Sequence, residues 1–352
     1  MRVSGVKLSH VQAHLVLEME ALDRMITTFS AQRRLSSGAR PINLNRDIPE
    51  VLELLEIVFG ESLRSEGSLA ASNVGLDASL PFLYRFNLGL TRLSPGFVWE
   101  ENGRIVGNAT LLRTKLRDRY LVVNVAVHPD FRRQGIARRL MEAIKEQVQA
   151  EGGHFILLQV VKDNYPAVDL YKSLNFRVLG SVTSWYSSVS RVHTIPSAID
   201  STPPPRIREL KGSEWQAAYQ LDQRCLRPEL NWPEPLTPDV YKRNWWRRLS
   251  DTFNGRQSET WVTTNAQNQL VGMAQILSEW GRLHTVHMRV DPAWWGRLER
   301  PLLAKVTRRL KYLGQRNVRL DHIDNHEEMN ELLQAANFDP RRTLTHMRLE
   351  IT

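Results

Sequence analysis

Residues 128–146 read HPDFRRQGIARRLMEAIKE, and the reading of this stretch decides the fold. The apolar run YLVVNVAV before it, residues 120–127, stops at a proline. After it, Ile136, Leu140, Met141, Ile144 and Val148 recur at helical spacing. A strand therefore passes into a helix through a turn of two arginines, a glutamine and a glycine. Gly135 lets another group approach the main chain closely. Amides at a helix start lack intrahelical partners, so the N–H groups of Arg133, Gln134, Gly135, Ile136 and Ala137 are open to a ligand. The helix dipole and the charges of Arg132 and Arg133 add positive potential, which suits a diphosphate. The turn is neither a Walker loop nor a G-x-G-x-x-G dinucleotide fingerprint.

Working outward, strand-like and helix-like segments alternate. PINL (41–44) reads as a short strand, and the helix that follows puts Ile48, Val51, Leu54, Leu55 and Val58 on one face. GFVWEENGRIVGNATLLRT (96–114) reads as a hairpin turning at Asn102-Gly103. Strand 121–127, helix 135–150, strand FILLQVV (155–161) and helix 166–174 follow, and two strands, FRVLG and TSWYSSV, close the unit. The second half repeats this order. Val290-Asp291-Pro292 stands opposite Val127-His128-Pro129, and Asn337-Phe338 opposite Asn175-Phe176. The Pro-rich run between the halves cannot lie inside a helix or a central strand. The expected organisation is a helical extension at 1–35, a first domain at 36–192, a linker at 193–205 and a degenerate second copy at 206–352. The fold class is α/β (α+β): two domains, each a mixed, mostly antiparallel twisted sheet flanked by helices.

VAVHPDFRRQGIARRLMEAI (125–144) resembles motif A of the GCN5-related N-acetyltransferases (GNAT), Q/R-x-x-G-x-G/A, with Arg132, Gly135 and Ala137 at its fixed positions. DNYPAVDLYKSLNF (163–176) resembles the N-x-x-A-x-x-L-Y-x-x-x-G-F segment of the same family. Asn164, Ala167, Leu170, Tyr171 and Phe176 match it, and Asn175 departs at the usual glycine. The resemblance covers residues 38–190 closely and 205–352 distantly. It implies that acetyl-CoA is bound as co-substrate by Val125, Ala126, Val127, Arg132, Arg133, Gln134, Gly135, Ile136, Ala137, Asn164 and Tyr171. It also implies that a primary amine attacks the thioester directly. Val125 N–H would hold the oxyanion and Tyr171 would protonate the leaving thiolate. Asn164 would bond the pantetheine or cap the following helix. The proton acceptor stays unassigned: Gln159 and Asn124 cannot take a proton, and His128 could act through water or be an ordinary loop histidine.

In the second copy Trp294, Trp295 and Arg300 occupy the neighbourhood of the cradle, and Leu333 takes the place of Tyr171. Large side chains there would exclude a pyrophosphate, so only the first copy is expected to bind the coenzyme. The chain has 352 residues, 42% of them hydrophobic, enough for two cores. Its net charge of +9 is spread evenly, +4 over residues 1–200 (24 Lys+Arg, 20 Asp+Glu) and +5 over the remainder, unlike a basic arm. Nucleic acid is therefore not an expected partner, nor is a membrane, since no run approaches the roughly 20 apolar residues of a span; acetyl-CoA and an amine acceptor are, and a homodimer is compatible. The acceptor is expected beside residues 60–86 and near Trp185 and Tyr186. A single cysteine, Cys225, with no apparent signal peptide, suggests a cytoplasmic protein. The pairs His10/His14 and His322/His326 lack supporting ligands, and no metal is expected. The alternative to an N-acetyltransferase is a non-catalytic acyl-CoA sensor.

Overall fold

The computed structural model describes residues 37–65, 93–114, 116–197, 205–225, 230, 238, 241, 257–278 and 280–351. The expected N-terminal extension, most of the acceptor loop and the core of the Pro-rich linker lie outside the described residues. Twelve strands alternate with six α-helices among those described. The strands are β1 (Gly38–Pro41), β2 (Leu93–Glu101), β3 (Arg104–Arg113), β4 (Arg119–Val127), β5 (Phe155–Val161), β6 (Arg177–Ser188), β7 (Arg208–Glu209), β8 (Gln257–Thr264), β9 (Leu270–Ser278), β10 (His284–Val290), β11 (Asn317–Ile323) and β12 (Asp339–Glu350). The helices are α1 (Ile48–Ser65), α2 (Ile136–Ala150), α3 (Tyr165–Ser173), α4 (Trp215–Cys225), α5 (Glu299–Leu310) and α6 (Glu327–Ala335).

The chain divides into two compact units, to each of which β3, β4 and α2 contribute residues. The first comprises Met1–Phe59, Pro95–Thr110 and Asn124–Ile144. Here β1 pairs antiparallel with β2, and the apolar face of α1 (Val51, Leu54, Leu55) packs on Val98, Ile105 and Ala126. The first strand lies at Gly38–Pro41 rather than at the expected 41–44. The buried Asp47 carboxylate folds the following residues into a turn: it accepts from Asn43 N–H at 2.7 Å and from Arg40 at 2.6 Å. Gly107 marks where α2 comes down on the sheet; a Cβ there would stand 2.9 Å from Ile136 and 3.2 Å from Leu140. Only glycine admits the helix so close.

The second unit comprises Gly60–Ser94, Leu111–Val123 and Lys145–Thr352, and its strands run β4-β5-β12-β6-β11-β10-β9-β8-β7. The pairs β4·β5 and β10·β11 are parallel, whereas β5·β12, β12·β6, β6·β11, β10·β9, β9·β8 and β8·β7 are antiparallel. The two strands expected at 176–189 are one continuous strand, β6. Gly180 does not break it but sits at a bulge against β12, where the register shifts between His346 and Met347. This order also shows an exchange. β12, the last strand of the second copy, lies on β5 of the first, and β6, the last strand of the first copy, lies on β11 of the second.

Equivalent positions meet across this junction. Lys162 pairs with Asp324 at 2.5 Å, Ser181 bonds Thr345 at 3.0 Å and Thr183 bonds Thr343 at 2.9 Å. Main-chain bonds repeat in the same way, Lys162 N–H to Thr343 C=O against Asp324 N–H to Ser181 C=O. The contacts join positions that correspond in the sequence repeat, each made twice with the partners exchanged.

Candidate active site

The turn after β4 is shaped by backbone that leaves the ordinary regions. Asn124 adopts φ 56° inside the strand, a conformation asparagine tolerates better than most residues. Its carbonyl is taken by the buried Asn108 side chain at 2.8 Å. After Val127, His128 N–H bonds Val106 C=O, and Pro129–Phe131 form one 3-10 turn. Arg132 Nε donates to Val127 C=O at 3.2 Å, bracing the turn on the strand. Arg133 and Gly135 both take positive φ, 64° and 79°, a sequence that lines successive N–H groups along a concave surface. Arg139 N–H to Gly135 C=O begins the main-chain bonding of α2. Among the described residues, the amides of Arg133 to Ala137 donate to no other main-chain group. A Cβ on Gly135 would meet nothing within 4 Å, and Arg132, Arg133 and Gln134 are exposed. Open backbone, exposed guanidinium groups and a helix start fit a diphosphate.

All the cradle positions, Val125 to Val127 and Arg132 to Ala137, belong to the first unit. Ile136 is buried and anchors the helix, while the Ala126 side chain is in the core beneath α1, leaving that residue only its backbone for a ligand. Asn164 and Tyr171 belong to the second unit. Asn164 Oδ1 accepts from Ala167 N–H at 3.3 Å, so its side chain caps α3. Tyr171 is buried on that helix with its ring 5.7 Å from Phe176. Burial pushes its hydroxyl well above the usual phenol range, so it carries its proton at neutral pH. Asn175, at φ 67°, ends α3 as a glycine would, and Phe176 N–H returns to Tyr171 C=O at 3.0 Å.

Residues 69–176 match the family model described as acetyltransferase (GNAT) family. The chain carries a GNAT-family domain. The GNAT domain's curated relatives include the [ribosomal protein bS18]-alanine N-acetyltransferase of Escherichia coli (strain K12). It is 32% identical over 80 residues, which are 23% of this chain and 53% of that protein. An N-alpha-acetyltransferase of Saccharolobus solfataricus is 37% identical over 67 residues, 19% of this chain and 40% of that protein. The chain thus spans about half the length of the curated relatives it matches. A solved GCN5-related N-acetyltransferase from Sphaerobacter thermophilus superposes over 89% of this chain and 95% of its own, with a TM-score of 0.55 and 18% identity. The glucosamine N-acetyltransferase region of a fungal multi-domain GH3 β-N-acetylglucosaminidase covers 90% of this chain and 38% of its own, with a TM-score of 0.56 and 14% identity. These two likenesses show the fold: a mixed α/β sheet with GNAT topology over most of the chain.

The second copy repeats the GNAT turn but fills it. Asp291 takes the place of His128, and Pro292–Trp294 form the matching 3-10 turn. Trp295 replaces Arg132, its Nε1 donating to Val290 C=O at 3.1 Å as Arg132 does to Val127, and its ring stacks on His326 at 4.6 Å. Leu298, at φ −110°, replaces Gly135. The Glu299 carboxylate then turns back and accepts from Leu298 N–H at 3.2 Å and from the amides of Gly296 and Glu299. A buried carboxyl group, its pKa pushed up by burial, therefore sits where the first copy leaves its amides open. Sequence reading expected Trp294, Trp295 and Arg300 to close this turn; the plug is Glu299 with Trp295, while Trp294 packs partly on the core. Leu333 is fully buried and contributes no polar group.

Of the groups considered as proton acceptors in the GNAT domain, His128 is held by its surroundings. Its Nδ1 accepts from Asp130 N–H at 3.4 Å, its Nε2 lies 3.5 Å from Arg104, and its ring meets Phe131 edge-on. It borders a cavity of about 140 Å³ with Glu50, Glu53 and Arg104. Gln159 has a neighbour that sequence reading did not single out: His346 of β12, with Nε2 3.0 Å from the carboxamide nitrogen. The repeat pattern placed that strand in its own copy, and no local signal marks the exchange. Among the described residues no group of three or more His, Cys, Asp or Glu could hold a metal ion, and no helix is long and apolar enough to cross a membrane.

Proposed function

We propose that the GNAT domain transfers the acetyl group of acetyl-CoA to a primary amine of a small molecule or peptide, by direct attack of the amine on the thioester. One observation carries this reading: the turn at Gly135 is open and flanked by exposed arginines, whereas its equivalent in the same chain is plugged by Glu299. The diphosphate takes the amides of Arg133 to Ala137 with Arg132 and Arg133 beside it. The pantetheine arm pairs with the backbone of Val125, Ala126 and Val127, and Asn164 bonds it or only caps α3. Val125 N–H stabilises the oxyanion as the carbonyl carbon becomes tetrahedral. Tyr171, protonated at neutral pH, gives its proton to the departing sulfur. Residues 36–192 form the catalytic copy, 193–205 the linker, and 206–352 a second copy that does not bind the coenzyme.

Thiol release from acetyl-CoA, measured against a panel of amines, tests the reading. The panel includes an N-terminal-alanine peptide and glucosamine, the acceptor classes named for the relatives, together with a polyamine. Amine-dependent release supports transfer. Acetyl-CoA binding without release for any amine favours the sensor reading, which draws on the want of a proton acceptor among Gln159 and Asn124.

A further inference from the structure

Counted along the sequence, the excess of positive charge is even, but the fold gathers part of it at one edge of the second unit. The hairpin of β9 and β10 ends in a tip where Gly281 turns at φ 70°, and a Cβ there would meet nothing within 4 Å. Trp280, beside it, is 81% exposed. The end of α5 is tied to the same edge. His284, buried where β10 begins, donates from Nε2 to Gly314 C=O at 3.0 Å and accepts at Nδ1 from the Ser278 hydroxyl at 2.7 Å. The Arg316 side chain makes a second tie, donating to Arg282 C=O at 3.4 Å. Tyr312, two residues before Gly314, is likewise 81% exposed. One exposed aromatic ring is ordinary surface; two so open at one edge are not.

Cations surround these rings. Arg308 and Lys311 stand three apart on one face of α5 and its C-cap, and both are exposed, as is Arg282 at the hairpin tip. The side chains on α5 bond neutral oxygens: Arg308 Nε donates to Ala304 C=O at 3.1 Å, and Lys311 Nζ to Thr194 Oγ1 at 3.4 Å. Such acceptors satisfy a donor without cancelling its charge. The carboxylate that α5 does meet, Glu259, is taken by Arg309 through two bonds of 2.7 Å.

We propose that this edge of the second unit binds single-stranded nucleic acid, with bases stacked on Trp280 and Tyr312 and phosphates on Arg308 and Lys311. Every base of a single strand offers a flat π face and every linkage an anion, which is what rings interleaved with cations require. A duplex keeps its bases stacked on one another and would engage the cations alone. An acidic polypeptide would also satisfy the cations, but it lacks the repeated flat partner that two open rings call for. None of the residues assigned to acetyl transfer belongs to this edge, so the proposal stands apart from that reading. It also gives the second copy a task that its plugged turn does not prevent.

Fluorescence anisotropy of a labelled oligothymidine of about 12 nucleotides, titrated with the full chain, tests this. Affinity should fall as salt rises from about 50 to 200 mM, with a logarithmic slope of about −0.7 for each phosphate engaged. Lys311→Gln should weaken binding and flatten that slope by about 0.7. Trp280→Ala should weaken binding at least about fivefold with the slope unchanged, because a ring is lost and no charge. Tyr312→Ala gives a second, independent readout of stacking, and both side chains are too exposed for either change to disturb the core. No binding at about 50 mM salt overturns the proposal, as does undiminished affinity in the doubly substituted Trp280→Ala, Tyr312→Ala protein. A duplex of the same length bound as tightly as the single strand overturns it too. Binding of polyglutamate in preference to the oligonucleotide would also overturn it and assign the edge to an acidic protein.

Discussion

In the proposed reading, coenzyme binding turns on Gly135. At φ 79°, with open space above it, it is both conformationally required and exposed to a ligand. Gly135→Val should cost about 1–2 kcal/mol of stability from the left-handed backbone, and should remove acetyl-CoA binding measured by calorimetry. Undiminished affinity would contradict the cradle. Tyr171→Phe keeps the ring against Phe176 while deleting the hydroxyl. Turnover should fall at least about 100-fold with acetyl-CoA affinity preserved, and wild-type turnover would remove Tyr171 from the mechanism. Motif residues such as these were legible because each meets a local demand, whether a positive φ, a helix start or a buried ring one turn before a helix end. Glu299 was not legible, because a carboxylate in a first helical turn reads as an ordinary favourable end charge. Its capture of the amides of its own turn appears only in three dimensions.

At the scale of elements, the start of α1 is held by a charged knot. Burial works to raise the Asp47 carboxyl, but bonds from Arg40, Asn43 N–H and Arg46 override it and hold the group well below the usual carboxylate range. Asp47→Asn should lower stability by about 2 kcal/mol, as for hydrogen bonds to a charged group, read as a fall in thermal midpoint at pH 7. No change would mean that Arg40 and Glu100 suffice to fix the turn. Element types were legible from period and turn chemistry; Asn102 and Gly103, both at positive φ, make the hairpin turn that their identities announce. Boundaries were less so. The first strand moved N-terminally because Asp47 recruits Asn43 into a turn, and FRVLG and TSWYSSV fused because a bulge accommodates Gly180 within one strand.

The whole molecule depends on the exchange of β6 and β12. Removing residues 206–352 strips β5 of its β12 neighbour and exposes a sheet edge in the first copy. A chain ending at residue 197 should show no cooperative thermal transition, whereas an independently stable fragment would mean that the copies fold separately. Buried and half-buried imidazoles weaken the fold in acid. Burial pushes His346 and His287 down to about 4, and burial together with His326 pushes His322 to about 3, from an ordinary 6.5. Because these folded-state values lie below the unfolded one, stability is fully present above about pH 6.5. It is lost as pH falls towards 4 and 3, at about 1.4 kcal/mol for each unit of difference. Asp47, with its depressed value, adds a loss in the same direction at lower pH. Thermal midpoints should therefore fall from pH 7 to pH 4, and a flat profile would contradict the enclosure of His346 and the partial burial of the other two rings. Recurring motifs along the sequence do not say where β6 and β12 pair. Strand order follows long-range pairing that no short sequence window contains.

Isothermal titration of the intact protein with acetyl-CoA tests the central claim most directly. One molecule should bind per chain, with binding lost in Gly135→Val and retained in Glu299→Gln. Two equivalent molecules per chain, none, or one that survives Gly135→Val would contradict it.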